Sequence, residues 1–458
     1  MKRKGSIVLF LSVVLALALV ASCSSGEEAA TSTPAPTASG PAQTTEYPDE
    51  VVIGCLHPLS GPMASAGASI KTAFEIAVDE INAAGGIKNL GGARIKVVNA
   101  DTENKPDVTT SEAERLVNNE NVVALVSTFF TCMSASNVAE KNHVTCFAPY
   151  TTTTDLTTRG YHYTFRGYST VGKEAHEVMD TAMATFANAG VEPKTCALLY
   201  CTEACALSSI NYIKENIADL GVEIVAEEFY NVGEATSYVP QLIKLEAAEP
   251  DFLIEWGWYP DQLIYFKEMM ERETYFPYGI WSFGAGLESG NWYAQMPPES
   301  YEYIFIHEDC DFKCWERPWY EEKLAKLQEE LPGIPWDCFC SYYYSDAWMI
   351  KYALERTEYS PDISVFRENF RDAFAAIDIT AATCKEMEQI APDGTKYCPA
   401  FVNGWSQVKF DGTTGDNYYS HGQISQIVNG DRHPVWPAEW VEPGFAPVMP
   451  IPTWEERG

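Results

Sequence analysis

Two short loops hold most of the chemistry open to this sequence. Thr128 to Ser134 and Tyr150 to Asp155 are hydroxyl-rich, and each follows a short apolar run; a third loop, Leu59-Ser60-Gly61-Pro62, follows a similar one. Hydroxyls donate to a carboxylate or accept from an ammonium or amide, and the N–H groups that open a helix add donors. The same residue types also serve as ordinary N-caps. Support for covalent chemistry is thin. The seven histidines, His57, His143, His162, His176, His307, His421 and His433, show no catalytic-motif spacing, and there is no Gly-x-Ser-x-Gly elbow. Cys201 and Cys205 are a weak redox candidate and fit a structural pair better. Cys310, Cys314, Cys338 and Cys340 form a cluster. Cys338-Phe339-Cys340 leaves one residue between ligands where zinc knuckles have at least two, which favours disulfide staples over metal.

Such loops need strands that end side by side. Val51 to Leu56 is an apolar, β-branched run. The helix that follows, to Asn82, buries one face through Ile70, Ala73, Phe74, Ala77, Val78 and Ile81, stops at Gly85, and gives way to a second β-rich run, Arg94 to Asn99. That is a strand, crossover and strand unit, the building block of a parallel sheet. The alternation continues with helix 107–119, strand 122–126, helix 134–142 and strand 145–148. A second series runs from about Tyr163: helix 172–190, strand 195–200, helix 206–220, strand 223–229, helix 238–249, strand 252–256, helix 260–271 and strand 278–281. Beyond it the pattern is less regular: strand 301–306, helices 319–330, 341–355 and 361–376, then a strand, turn and strand over 408–435 carrying Asp411-Gly412 and Asn429-Gly430. Two α/β sheets in series, with a crevice between their strand ends, make a clamshell.

Size and charge narrow the function. At 458 residues the chain exceeds one ordinary core, and a net charge of −33 argues against nucleic acid, whose phosphates require clustered cations. The amino terminus reads as an export address. Lys2, Arg3 and Lys4 precede the apolar run Ile7 to Ala21, and Val20-Ala21-Ser22-Cys23 resembles a bacterial lipobox, which would place lipid on Cys23. Residues 1–22 are then signal peptide and 23–48 a lipid-anchored, disordered linker. Of 13 cysteines, 12 remain after Cys23; in an oxidising compartment that predicts several disulfides, Cys384 and Cys398 bracketing a polar loop among them.

In combination, several segments resemble the branched-chain amino-acid-type solute-binding proteins of ABC transporters. They are Ile53-Gly54 with Pro58 to Pro62, Asp79 to Ile87, Asp155 to Gly160, Tyr259-Pro260-Asp261, and Gly404-Trp405 through Lys409-Phe410-Asp411 to Gly415 and on to Val435-Trp436-Pro437. The resemblance implies a type I periplasmic-binding fold: two parallel-sheet α/β lobes joined by a hinge. The first lobe would span 49–165 plus about 285–355, the second 166–284 plus about 356–458 with a C-terminal extension. It implies capture of a small carboxylate or amide solute, amino-acid-like or aromatic, by lobe closure, and delivery to ABC permease subunits, with the membrane reached through lipid and with no catalysis, cofactor or metal. The matching first-lobe ligand positions are Ser60, Thr131, Tyr150, Thr151 and Thr152; those of the second lobe are Cys205, Trp258, Tyr259 and Phe283. Phe283 occupies the place of an acidic residue that pairs with an α-ammonium, so a zwitterionic ligand is disfavoured unless Glu203, Glu255 or Glu288 reaches in. Two other readings stay open: a clamshell that reports a ligand to a signalling partner, and an exported hydrolase or thiol oxidoreductase.

Overall fold

The computed structural model describes residues 46–457 except 62, 285–286, 288–294 and 309–311. The segment read as an export signal, Cys23 and the expected linker up to residue 45 therefore lie outside the described residues, as do Glu288 and Cys310. Among the described residues no helix is long and apolar enough to cross a membrane.

Strands β1 (Glu50–His57), β2 (Arg94–Asp101), β3 (Ala124–Ser127), β4 (Thr145–Ala148) and β5 (Thr164–Arg166) form a parallel sheet in the order β2-β1-β3-β4-β5. The order reverses between β1 and β3, so the crevice of this sheet opens beyond His57 and Ser127. The crossover helix Ala64–Ala83 buries all six apolar residues of its predicted face. It ends where the Gly86 N–H donates to the Ile81 carbonyl at 3.0 Å; at φ 66° a Cβ on Gly86 would lie 2.4 Å from the Ala93 carbonyl oxygen.

A second sheet contains β6 (Thr195–Cys201), β7 (Glu223–Tyr230), β8 (Phe252–Trp256), β9 (Ile280–Phe283) and β10 (Phe305–Glu308), all parallel, with Gln423–Val428 and Asp431–Trp436 added as an antiparallel hairpin. From one edge, the order is Asp431–Trp436, Gln423–Val428, β10, β9, β8, β6, β7. Asn429 and Gly430, at φ 55° and 77°, make the hairpin turn. Asp411-Gly412 opens a wider reversal: Phe410 bridges Asn417 antiparallel, the Asp411 N–H donates to the Asp416 carbonyl at 2.7 Å, and the Asp411 carboxylate accepts the N–H groups of Thr413 and Thr414 at 2.9 and 2.8 Å, while Val408–Lys409 pairs with Asp378–Ile379. Two strands start later than their composition predicts, because Tyr303 (φ 65°) and Gly279 (φ 82°) break the extended run before Phe305 and Ile280.

Strand pairing also redistributes the last third of the chain relative to the expected boundaries. β10 hydrogen-bonds in the seven-stranded sheet, whereas the helices Cys338–Leu354 and Ile363–Ala375 pack on the five-stranded one, as do Val408 and Phe410. Aromatic burial explains the second helix. Phe374 meets Phe147, Phe165 and Phe410 with ring centroids 5.0–5.1 Å apart. Each sheet thus has its own apolar core.

The crossings between the sheets are joined by buried polar contacts. Arg166, fully buried at the end of β5, donates to Asp416 Oδ1 at 2.8 Å, the Thr153 carbonyl at 2.8 Å and the Thr157 hydroxyl at 2.6 Å. Its backbone N–H and C=O bond Gly415 and Asn417, both at 3.0 Å. Glu177 faces His307 Nε2 at 3.3 Å and the Gly422 N–H at 3.4 Å. Asp416→Ala leaves the buried guanidinium without its counter-charge and should lower stability by at least about 2 kcal/mol. Urea denaturation checks this, and a change below a few tenths would show the pair to be incidental.

Candidate ligand-binding site

The residues beyond β1 and β3 converge on one hydroxyl. Thr128 Oγ1 lies 3.0 Å from His57 Nδ1 and accepts the Tyr343 O–H at 2.8 Å, while the Thr131 hydroxyl donates to the Thr128 carbonyl at 2.7 Å. Burial lowers the His57 pKa to about 3, so the imidazole is neutral. Phe129 follows at φ 53°, left-handed for a bulky residue, and its N–H donates to the Tyr150 carbonyl at 3.2 Å. The Tyr150 ring stacks on buried Tyr168 at 5.0 Å and meets Phe339 and Phe129 edge-on at 4.9 and 6.1 Å. Phe129 and Phe339 are 5.9 Å apart. Tyr168 is sealed in, whereas Phe129, Tyr150 and Phe339 each keep part of their surface exposed, so three rings form an open corner beside the hydroxyl loops.

The expected residues distribute unevenly. Ser60 is exposed in the loop after β1, and Thr151 is buried. Thr131 is buried with its hydroxyl already engaged. Thr152 is half-buried; its carbonyl accepts the Val171 N–H at 3.0 Å, and among the described residues no hydrogen bond to its hydroxyl is recorded. Thr131 and Tyr150 are thus joined through Phe129. The loop Thr128 to Ser134 was singled out by sequence, but His57, Phe339 and Tyr343, which the structure brings to it, were not. Phe339 looked like a spacer between cysteines, and the signal that would have found it was its place in the first turn of an apolar helix.

On the seven-stranded sheet, Trp258 follows β8, half-buried and edge-on to Trp256 at 5.4 Å. Tyr259 opens the next helix, its side chain lying outside the described residues. Phe283 is buried at the end of β9 within the sheet's core. Glu203 is exposed, one residue before the helix Ala204–Asn216. Glu255 points inward, accepting from Gln262 Nε2 at 3.1–3.2 Å and from the hydroxyls of Tyr265 and Ser282. Burial pushes its pKa up to about 7 against those donors. A Cβ at Gly257 would fall 2.2 Å from the Tyr265 hydroxyl and 2.4 Å from Glu255 Oε1, so a side chain there would force that hydrogen-bonded pair to shift.

The cysteines need a correction. Cys384–Cys398 is a disulfide, and Cys338 belongs to another whose second half lies outside the described residues. Cys201 and Cys205, expected as a structural pair, are thiols, as are Cys55, Cys132, Cys146, Cys196 and Cys340. All but Cys205 are buried, and they act as small apolar side chains of strand and helix interiors. Burial raises the Cys205 and Cys146 thiols to about 12 and Cys201 higher still, so none is poised as a thiolate. Among the described residues no group of His, Cys, Asp and Glu could hold a metal ion.

Residues 50–411 match the family model described as periplasmic binding protein. The chain belongs to this family. Its fold is the type I periplasmic-binding fold, and its relatives are solute-binding proteins of the branched-chain amino-acid type. It is similar to the Leu/Ile/Val-binding protein homolog 8 of Brucella abortus (strain 2308), 27% identical over 244 residues, which are 52% of this chain and 59% of that protein. The match thus spans somewhat over half the length of that relative. It is also similar to homolog 3 of Brucella melitensis, 24% identical over 325 residues, 70% of this chain and 83% of that one. Among solved structures, the branched-chain amino acid transporter substrate binding protein LivJ from Streptococcus pneumoniae, in complex with isoleucine, superposes with a TM-score of 0.63 at 20% identity, covering 84% of this chain and 97% of that one. A solute binding protein from R. palustris in complex with benzoate gives 0.62 at 17%, covering 84% and 95%. In this family member the five-stranded sheet with its helices is one lobe and the seven-stranded sheet the other.

The buried carboxyl of Glu255 sets a pH dependence. Its folded-state pKa lies above the ordinary 4.5, so its contribution to stability is complete below about pH 4.5 and is lost as pH rises through about 7. Glu255→Gln, which keeps an acceptor but cannot ionise, should flatten the fall in melting temperature across that window. Thermal denaturation from pH 4.5 to 8 checks this, and an unchanged slope would remove Glu255 as its source.

Proposed function

We propose that this protein is an extracytoplasmic solute-binding lipoprotein, anchored through lipid on Cys23, that captures a small carboxylate or amide solute by lobe closure and delivers it to an ABC permease. The observation that supports the reading is the open corner of Phe129, Tyr150 and Phe339, set at the switch point of the five-stranded sheet beside the hydroxyls of Thr151 and Thr152. Rings of this kind favour a flat aromatic or bulky apolar body, and the hydroxyls and loop N–H groups favour a carboxylate or amide head. Phe283, buried where an ammonium would need a counter-charge, weights the choice toward an aromatic or apolar carboxylate. Related folds solved with isoleucine and with benzoate bracket that range. Trp258, Tyr259 and Cys205 would close on the solute from the second lobe, which binds only once the hinge shuts.

A thermal-shift screen of leucine, isoleucine, benzoate, aromatic amides and short peptides tests the reading. A true ligand at a hundredfold excess over its Kd adds about 2.7 kcal/mol of stability, and no shift across the panel would count against the proposed solute class. With the best ligand, Thr152→Val should weaken binding roughly tenfold to a hundredfold by calorimetry if its hydroxyl meets the carboxylate. Phe339→Ala should weaken benzoate by about threefold to tenfold and leave a small aliphatic acid nearly unaffected.

A further inference from the structure

We propose that His57 and Tyr343 are positioning residues for the solute site: through the hydroxyl of Thr128 they hold Phe129 in its left-handed conformation and set its ring against Tyr150 and Phe339. The inference rests on the reading above of that aromatic corner as a ligand site.

Two locally unfavourable features meet in this loop. The first is Phe129, whose φ of 53° is strained for an aromatic residue and persists only where the surroundings over-determine it. Those surroundings are the Phe129 N–H on the Tyr150 carbonyl, the Thr131 hydroxyl on the Thr128 carbonyl, and the two contacts to Thr128 Oγ1. The second is His57. It is fully buried, as are Thr128 and Tyr343. With Tyr343 donating to Thr128 Oγ1, the Thr128 proton is available to His57 Nδ1, which places the imidazole proton on Nε2. Among the described residues Nε2 has no hydrogen-bond partner. A buried donor with no partner in the protein is costly to keep, whereas a phenyl ring would carry no such donor. A ring that opposes folding while bonding the residue next to a strained one is explained by what it holds in place.

The geometry says what is held. Tyr343 projects from the helix Cys338–Leu354 that also carries Phe339, while His57 ends β1 and Thr128 follows β3. One hydroxyl therefore ties the loop ring, Phe129, to the helix ring, Phe339, and fixes the gap between them. Loss of either partner would free the loop to relax out of the left-handed region and spoil that gap.

Thr128→Val keeps the shape and removes the hydroxyl; Tyr343→Phe removes one donor; Thr128→Ser restores the hydroxyl. The readouts are calorimetric affinity for leucine, isoleucine and benzoate, hydrogen exchange at the Phe129 amide, and melting temperature, all on the full chain. Thr128→Val and Tyr343→Phe should each weaken the tightest of the three probes by about tenfold or more and speed Phe129 exchange by a similar factor. Thr128→Ser should return both to within about threefold of wild type. A lower melting temperature with unchanged affinity and unchanged Phe129 exchange would overturn the proposal, leaving the hub a core contact. If the wild-type protein binds none of the three probes, the solute class assigned above is what fails. Phe129 exchange in Thr128→Val against Thr128→Ser still decides whether the hub holds the loop.

Discussion

The architecture depends on one helix that cannot face water. From Cys340 to Leu354 every residue is buried, including Tyr342, Tyr343, Tyr344 and Trp348, so the helix must be covered on all sides. The helix Ala64–Ala83 covers one side and the five-stranded sheet another. That requirement brings the chain back to the first sheet after it has built most of the second, and sends it across again to add the hairpin 423–436. The helix also delivers its first turn to the strand ends, where Phe339 and Tyr343 complete the corner begun by Phe129 and Tyr150. Packing of an apolar helix is thus the direct cause of that corner's geometry.

Local signals carried far in some places and failed in others for definable reasons. The unit from Val51 to Asp101 was legible because helix and strand periodicities are set by residues close in sequence: all six predicted face residues of the helix are buried, and β4 spans Thr145–Ala148 as composition indicates. The strand near Tyr301 was misplaced because a tyrosine in the left-handed region carries no sequence mark. Asp411-Gly412 does mark a chain reversal, but the strand before it pairs with Asp378–Ile379, a segment distant in sequence that no local signal names. The candidate site was half legible. Its hydroxyl loops follow from strand-then-Thr spacing, but its aromatic partners come from residue 339 and its hub from residues 57 and 343, which only tertiary packing brings to Thr128.

The cysteines illustrate how one composition supports opposite expectations. Twelve cysteines beyond Cys23 suggest a stapled protein, and among the described residues Cys384–Cys398 is such a staple, set where short strands and loops bury little apolar surface of their own. Within the sheets the thiols occupy positions that Val or Ala would fill equally well. There they are desolvated rather than activated, which is why the same residues support neither a disulfide framework across the lobes nor a thiol chemistry.

Charge gives the last step. The chain carries 64 acidic against 31 basic residues, yet at the strand ends of the second sheet Glu203 is exposed, while Glu255 is turned inward and held toward neutrality. Ionising Glu255 would place a charge in a core from which water is excluded, and its donors offset that only in part. On the proposed reading, a ligand ammonium placed at Phe283 would meet a buried ring in place of a counter-charge, whereas a carboxylate arriving at the other wall would meet hydroxyls and helix-opening N–H groups. In the proposed capture, the polar head would dock first on the five-stranded lobe and the contacts of the second lobe would form on closing, so that those later contacts would supply the differential affinity able to shut the hinge.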